Sequence, residues 1–324
     1  MNSEKVAELI KNRIRNKERF IVASHIDPDG DAVGSLLAMV RFLANIGKTV
    51  SGYLPSGIPK RYEFLADEDS VLQKVPKGDF DVAVILDCSS LDRLDLPFIR
   101  FLNRKNVERI VIDHHNSKDP FGDISLVCDG VSSTGEILLS LFEQLSPSAI
   151  TPGVASPLYT ALLTDTGNFS FPNTSAETLE SAAKLVRYGA QPSYISTKIY
   201  DELPVEYLKN IGVAFHNMEF FPELGIMFVS LPQDEVKQFD PSFVFTEGVV
   251  DFTLKARGVK IGVLFKQVDS NFTRISLRSV ESVDVGQFAN SLGGGGHKNA
   301  AGISLSLSLE ESKRFLLRRL KKLL

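Results

Sequence analysis

The chain reads as an α/β protein in two domains, a larger amino-terminal one on an open parallel sheet and a smaller carboxyl-terminal α/β one. Three observations predict this. Short uninterrupted apolar runs, Phe20-Ile-Val-Ala23, Val82-Ala-Val-Ile-Leu86 and the stretch following Arg109 to Ile112, alternate with helical patterns, and such runs are buried parallel strands. Each run stops abruptly at Asp or His, at the carboxyl edge where open α/β sheets place their sites. The length, 324 residues, exceeds the usual size of one domain.

Taken in order, Ser3 to Asn16 is an amphipathic helix with Val6, Leu9, Ile10 and Ile14 on one side. The first strand ends in Ser24-His-Ile-Asp-Pro-Asp-Gly-Asp31, and a helix follows to about Asn45, closed by Gly47. Lys48 to Tyr53 is the next strand. A short helix is expected within Arg61 to Val75, then the strand ending at Asp87, whose loop Arg93 is expected to hold through a salt bridge. After Asp113-His114-His115 come a polar loop, a strand over Ile124 to Val127, and a helix over Ile137 to Leu145 opened by Ser132-Ser-Thr-Gly-Glu136, in which Glu136 serves the helix start. Pro152-Gly153 break the chain before an apolar segment leading to Asp165, and Asn173 to Tyr188 is a helix capped near Thr174 or Ser175.

These patterns place one domain at residues 1–189, a turn-prone connection at 190–204 and the second domain at 205–324. The second opens with a helix over Val205 to Met218, with His216 at its surface or at an interface. Strand-like alternations follow at Gly225 to Leu231, Gly258 to Lys266 and Thr273 to Ser279, and a basic amphipathic helix closes the chain from Leu309 to Leu324.

Composition bounds the function. With 43% apolar and 23% charged residues the chain is an ordered globular protein. No apolar run is long enough to cross a bilayer, and the first residues lack the basic-then-apolar pattern of a secretory signal, so the expected location is the cytoplasm and no membrane partner is expected. Cys88 and Cys128 stand apart, which excludes zinc clamping by thiolates and makes a disulfide unexpected. Residues 205–324 carry 15 Lys and Arg against 13 Asp and Glu, a net of +2, which leaves −6 for residues 1–204. Neither half has the broad positive surface of a binder of long nucleic acid, and short anionic substrates fit better. Nothing in the chain fixes the oligomeric state, and a homodimer stays open.

The chemistry lies in the strand-end loops. Alternate residues of an extended segment point the same way, so His25-x-Asp27-x-Asp29 aims an imidazole and two carboxylates at one volume. Crowded carboxylates repel, and a cation is the ordinary remedy. Taken singly, an Asp-x-Asp is a turn former or helix cap and a His-His pair says little. Together with Asp87, Asp113-His114-His115 and Asp165 they form a set, for three of the five histidines fall in these loops.

His25-x-Asp27-x-Asp29, Asp87, Asp113-His114-His115 and Thr164-Asp165-Thr166-Gly167 resemble the four motifs of the DHH phosphoesterase superfamily. Gly293-Gly-Gly-Gly-His297-Lys-Asn-Ala-Ala-Gly302 resembles the glycine-rich signature of the accessory domain that accompanies it. The resemblance covers residues 20–302 and implies a Rossmann-like metal-binding domain, a substrate-binding second domain and an active site in the cleft between them. It implies two divalent cations, Mn2+ first with Mg2+ or Co2+ as alternatives, one held by His25 and Asp27 and the other by Asp29, His114 and Asp165, with Asp87 bridging. His115 would meet the scissile phosphate, Asp113 would orient an imidazole, and Arg278, Gly294, Gly295, Gly296 and His297 would grip substrate.

Within the superfamily the two-domain layout resembles the oligoribonucleases that degrade short RNA to mononucleotides and also remove the 3′-phosphate of adenosine 3′,5′-bisphosphate, which makes the expected activity that of an exoribonuclease and 3′-nucleotidase. Short RNA or DNA oligonucleotides and small nucleotides are the implied substrates. Two other readings remain: a cyclic dinucleotide phosphodiesterase acting on c-di-AMP or linear pApA, and a non-catalytic nucleotide-binding regulator.

Overall fold

The computed structural model describes residues 3–66, 71–88, 90–104, 107–115, 121–240, 246, 248–280 and 282–322, with Arg104 and His297 described by backbone alone. The chain divides into two compact units, Met1–Glu202 and Leu203–Leu324.

The first unit runs α1 (Ser3–Asn16), β1 (Arg19–Ala23), α2 (Gly30–Asn45), β2 (Thr49–Tyr53), β3 (Val82–Leu86), α3 (Leu96–Arg104), β4 (Glu108–Asp113), β5 (Ile124–Val127), α4 (Thr134–Leu145), α5 (Pro152–Asp165), α6 (Ala176–Arg187) and α7 (Pro192–Ser196). Its five strands lie in the order β2-β1-β3-β4-β5, and every pair is parallel. The alternation of side chains along each strand explains why the runs are apolar throughout. Phe20, Val22, Val82, Val84, Leu86, Ile110 and Ile112 face one core, packed with α1, α2, α4 and α5. Their neighbours Ile21, Ala23, Ala83, Ile85 and Val111 face a second core beneath Phe98, Phe101 and Leu102 of α3.

Small residues let α2 and α5 approach closely. A Cβ at Gly34 would lie 2.4 Å from the Pro157 carbonyl oxygen, and one at Gly30 would lie 2.3 Å from Thr164 Oγ1. Phe42 of α2 stacks on Phe142 of α4 with centroids 3.8 Å apart, both rings fully buried, a burial that stabilises by roughly 1.5–3 kcal/mol per ring.

Residues 190–202, where the sequence suggests a connection, belong largely to the first unit. Ile195 and Ile199 are buried in its core, and the Ile199 carbonyl accepts the Arg61 Nε–H at 3.0 Å. Their apolar side chains sit at helical spacing, which the Pro and Gln on either side obscure. The apolar segment before Asp165 is a full helix, so that carboxylate stands at a helix end and not at a strand edge. Among the described residues Arg93 forms no ion pair; its carbonyl accepts the Ile26 N–H at 3.0 Å, which ties its loop to the one after β1.

The second unit runs α8 (Val205–His216), β6 (Glu219–Phe221), β7 (Ile226–Leu231), α9 (Gln233–Val236), β8 (Ile261–Asp269), β9 (Phe272–Ser279), α10 (Val285–Asn290), β10 (Gly295–His297), β11 (Ala300–Leu305) and α11 (Leu309–Leu320). Its mixed sheet has the order β10-β11-β9-β8-β7-β6, with only β7 and β8 parallel. Ile261, Val263, Phe265, Ile275, Leu277 and Ile303 face α10 and α11. On the other face Met227, Val229 and Leu264 pack beside α8 and the 3-10 turn Val249–Lys255.

Candidate metal centre

The first sheet fixes where the loops meet. The connection from β1 through α2 leads to β2 on one side, while β3 and β4 continue on the other, so the chain reverses its direction of travel between β1 and β3. Such a reversal opens a crevice at the carboxyl ends of the strands. The loops after β1, β3 and β4 carry His25 to Asp31, Asp87 and Asp113 to His115 into it, and the end of α5 brings Asp165 to the same place. Asp87 adopts φ +52°, a left-handed turn costly for a residue with a Cβ, and its N–H donates to the Ile112 carbonyl at 3.0 Å.

Three groups of donor atoms result, each with its atoms within 4.8 Å of one another: His25, Asp29 and Asp87; Asp87, Asp113, His114 and His115; and Asp31, His114 and Asp165. His25 Nε2 lies 3.6 Å from Asp87 Oδ2, and His114 Nε2 lies 3.3 Å from Asp165 Oδ2, 3.7 Å from Asp87 Oδ1 and 3.8 Å from Asp31 Oδ2. His115 Nδ1 is 2.8 Å from Asp113 Oδ1 and 3.4 Å from Asp87 Oδ1. Asp113 is fully buried and also accepts the His115 N–H at 3.1 Å, so the imidazole it orients is His115.

Of the expected ligands, Asp27 is the exception. It is exposed and belongs to none of the three groups, whereas Asp31, which the sequence reading passed over, is 1% exposed and stands among them. Residues 27, 29 and 31 alternate, so an extended string offers three carboxylates and the spacing alone chooses no adjacent two. The start of α2 at Gly30 decides. Asp29 caps that helix, its Oδ1 accepting the N–H groups of Asp31 and Ala32 at 3.1 Å each, and the turn directs Asp31 inward. There Asp31 accepts the Thr134 N–H at 2.7 Å, the Gly135 N–H at 3.1 Å and the Ser35 hydroxyl at 2.9 Å. The first two donors are the start of α4, whose dipole favours a negative charge. A sequence signal did exist: Asp31 is an acid opening a helix that is otherwise buried on nearly every side.

Charge crowding shows in the titration of these groups. Burial, then Asp87, Asp165 and Asp29, push the Asp31 carboxyl well above its ordinary range, against the Thr134 N–H. Burial, then Asp87 and Asp29, raise Asp165 to about 7. At Asp87 burial would also raise the carboxyl, but His25, His115 and His114 outweigh it and hold it below the ordinary value. Burial and His115 lower His114, which stays neutral, while at His115 Asp113 and Asp87 overcome burial and raise the imidazole.

The donor set fits metal. His114 Nδ1 faces the Val131 carbonyl at 3.4 Å, which leaves the Nε2 lone pair directed at the carboxylates, the orientation that metal-binding histidines take. The Nε2 atoms of His114 and His25 are buried and have no hydrogen-bond partner among the described residues. A buried nitrogen without a partner beside several carboxylates is stabilised by a cation shared between them.

Glu136 serves the start of α4, as expected, accepting the Ser132 N–H at 3.1 Å. In the second unit, Arg278 is ion-paired to Asp251 at 2.7 Å. The glycine run is not an open loop. The Gly293 and Gly294 N–H groups donate to the Asn290 and Ala289 carbonyls at 3.2 and 2.9 Å, so Gly294 has no backbone donor to spare for an anion, and Gly295 and Gly296 pair with Gly302 and Ala301. A recess of about 330 Å³ beside them contains Lys266 and Arg274, cations that sequence reasoning missed because each reads as the polar position of an amphipathic strand. A larger recess of the first unit, about 600 Å³, surrounds Arg41, Thr151 and Tyr194 and holds none of the clustered donors.

The sequence pattern of the DHH family, N-terminal domain, matches residues 19–162, and that of the DHHA1 domain matches residues 246–324. A protein of Thermus thermophilus named bifunctional oligoribonuclease and PAP phosphatase NrnA is 30% identical over 296 residues, 90% of this chain and 86% of that protein. The chain belongs to the DHH family. Members are phosphoesterases, and this DHH protein is accordingly a metal-dependent hydrolase of phosphate esters. The crystal structure of an exopolyphosphatase-related protein from Bacteroides fragilis superimposes with a TM-score of 0.92 at 26% identity, covering 98% of this chain and 96% of that one. RecJ from Thermus thermophilus, solved in complex with Mn2+, shares the fold at a TM-score of 0.52 and 16% identity, covering 99% of this DHH chain and 54% of the RecJ chain. Among the described residues no helix is long and apolar enough to cross a membrane.

Proposed function

We propose that this DHH protein is a cytoplasmic enzyme that hydrolyses short oligoribonucleotides to mononucleotides and removes the 3′-phosphate of adenosine 3′,5′-bisphosphate. The observation that carries the reading is that the donor groups are linked, with Asp87 common to two of them and His114 to two, in a chain whose relative over 90% of its length bears both activities in its name. Two divalent cations fit this arrangement, Mn2+ before Mg2+ or Co2+ because imidazole and carboxylate are mixed. His25 and Asp29 would hold one, Asp31, His114 and Asp165 the other, with Asp87 placed to serve both. Such a pair, when bound, acidifies a water molecule for attack at phosphorus and offsets charge on the phosphate oxygens.

The protein's own residues do the rest. Asp113 keeps the His115 imidazole in one orientation and favours its protonated form, so His115 can donate a hydrogen bond to a phosphate oxygen. Asp29 and Asp31 are fixed by backbone N–H groups before any substrate arrives, so no ordering is needed at the moment of reaction. In the second unit Gly295, Gly296, His297 and Arg278 remain the proposed grip on substrate, with Arg278 exchanging Asp251 for phosphate.

The direct test supplies Mn2+ and compares a labelled di- to pentaribonucleotide, adenosine 3′,5′-bisphosphate and cyclic di-adenylate. Turnover of the first two is expected. Preference for the cyclic compound, which the relative's name does not favour, would replace this reading, and no turnover of any would leave a binding protein.

Chelation gives a further expectation. In the cation-free protein Asp165 keeps a proton that the unfolded chain gives up near its ordinary carboxylate value of about 4, so its contribution is whole below that pH and is lost as pH rises through about 7, and Asp31, raised in the same direction, adds to it. The gap between thermal melts with Mn2+ and with chelator should be smallest near about pH 5 and widen until about pH 7, the chelated protein melting lower. A gap that narrows as pH rises would contradict the assignment.

A further inference from the structure

Two residues beyond Asp165 the chain enters a rigid and strained loop. Gly167, Asn168 and Phe169 all have left-handed φ, at +55°, +58° and +58°, and for a bulky residue such as Phe169 this conformation is rarely adopted. Thr166 holds the loop together, its hydroxyl accepting the Phe169 N–H at 3.0 Å and its carbonyl accepting the N–H groups of Ser170 and Phe171 at 2.9 Å each. Asn173 Nδ2 donates to the carbonyls of Asp165 and Ser132 at 3.1 and 3.2 Å, tying the far side of the loop to the metal-ligand end of α5 and to the start of α4.

The loop separates its two aromatic residues. Phe169 turns inward against Tyr159, with centroids 6.0 Å apart, while Phe171 is 55% exposed. The Phe171 ring tip rests where a side chain of residue 167 would be, its Cζ 2.4 Å from the position of a Cβ there, so only glycine at 167 admits the ring as well as the positive φ. Strain retained in a hydrogen-bonded loop that is tied to the Asp165 carbonyl and holds a large apolar ring in water six residues beyond that carboxylate points to a ligand with a flat apolar face.

We propose that Phe171 is the stacking platform for a nucleobase next to the scissile phosphate, and hence a specificity-determining residue that separates nucleotide esters from plain phosphate esters. The proposal rests on the nucleotide phosphoesterase reading above. Every base has a π face, so the platform discriminates base from no base and tolerates any sequence.

The test compares a diribonucleotide with two analogues that lack one base each, in Mn2+, for wild type and for Phe171→Ala, Phe171→Leu and Phe171→Trp. Phe171→Ala and Phe171→Leu should lower kcat/KM on the intact dinucleotide by about 5- to 150-fold, mainly through KM, while Phe171→Trp keeps it. On one abasic analogue the wild type should fall to the level of these variants, and the variants should lose nothing more. Activity of Phe171→Ala or Phe171→Leu within about twofold of wild type on the intact dinucleotide overturns the proposal, as does an equal loss on all three substrates, which would mark a purely structural ring. If the wild type cleaves neither intact nor abasic dinucleotides, the nucleotide phosphoesterase reading itself has failed and the platform falls with it.

Discussion

Replacing Asp87 by Ala is expected to lower kcat/KM on a dinucleotide by about a thousandfold or more and to deprive the protein of both proposed cations. Asp87 is 1% exposed, its carboxylate lies 3.4–3.7 Å from a nitrogen of each of His25, His114 and His115, and it is the carboxylate common to two of the donor groups. Without it the remaining residues would form two incomplete sites, and the several kcal/mol that the proposed pair of cations would supply to the transition state would be lost together. Metal content by mass spectrometry separates this from misfolding, provided that near-ultraviolet circular dichroism matches wild type. Activity within tenfold of wild type would sink the shared-ligand assignment.

Asp31→Asn and Asp27→Asn should differ sharply. Asp31 accepts three hydrogen bonds in a buried pocket, and an amide there turns a donor toward the N–H group of either Thr134 or Gly135 while removing the charge that the proposed second cation would need. A drop of about a hundredfold in activity and about 1–3 kcal/mol in stability is expected, with about half the bound metal lost. Asp27 is exposed and outside the donor groups, so Asp27→Asn should stay within about twofold in activity and about 0.5 kcal/mol in stability. Full activity in Asp31→Asn together with loss in Asp27→Asn would restore the ligand set that the family resemblance implies.

The difference between these two aspartates shows what each level of description contributes. The strands were legible because their two buried faces demand apolar residues at every position, and the endings at His25, Asp87 and Asp113 marked the edge where chemistry belongs. The helix over Ser3–Asn16 was legible from its apolar spacing, and the start of α4 from its cap. Less was readable where one residue type serves two geometries. Ala300–Leu305 forms a strand that is absent from the three alternations expected in the second domain, because its small residues carry little apolar signal. Residues 190–202 carry the prolines of a connection while Ile195 and Ile199 bury themselves in the first core.

By itself the sequence determined the fold class, the edge of the sheet that carries the site and the kinds of side chain gathered there, because periodic burial and strand termination are local properties written residue by residue. Only the tertiary structure decided which carboxylates face inward, which imidazole Asp113 orients and which glycine N–H groups are already taken. The first of these depends on N–H donors at the start of α4, far along the chain from Asp31, and a hydrogen bond to a distant backbone group leaves no periodic trace; the other two depend on local backbone geometry that residue type alone does not fix.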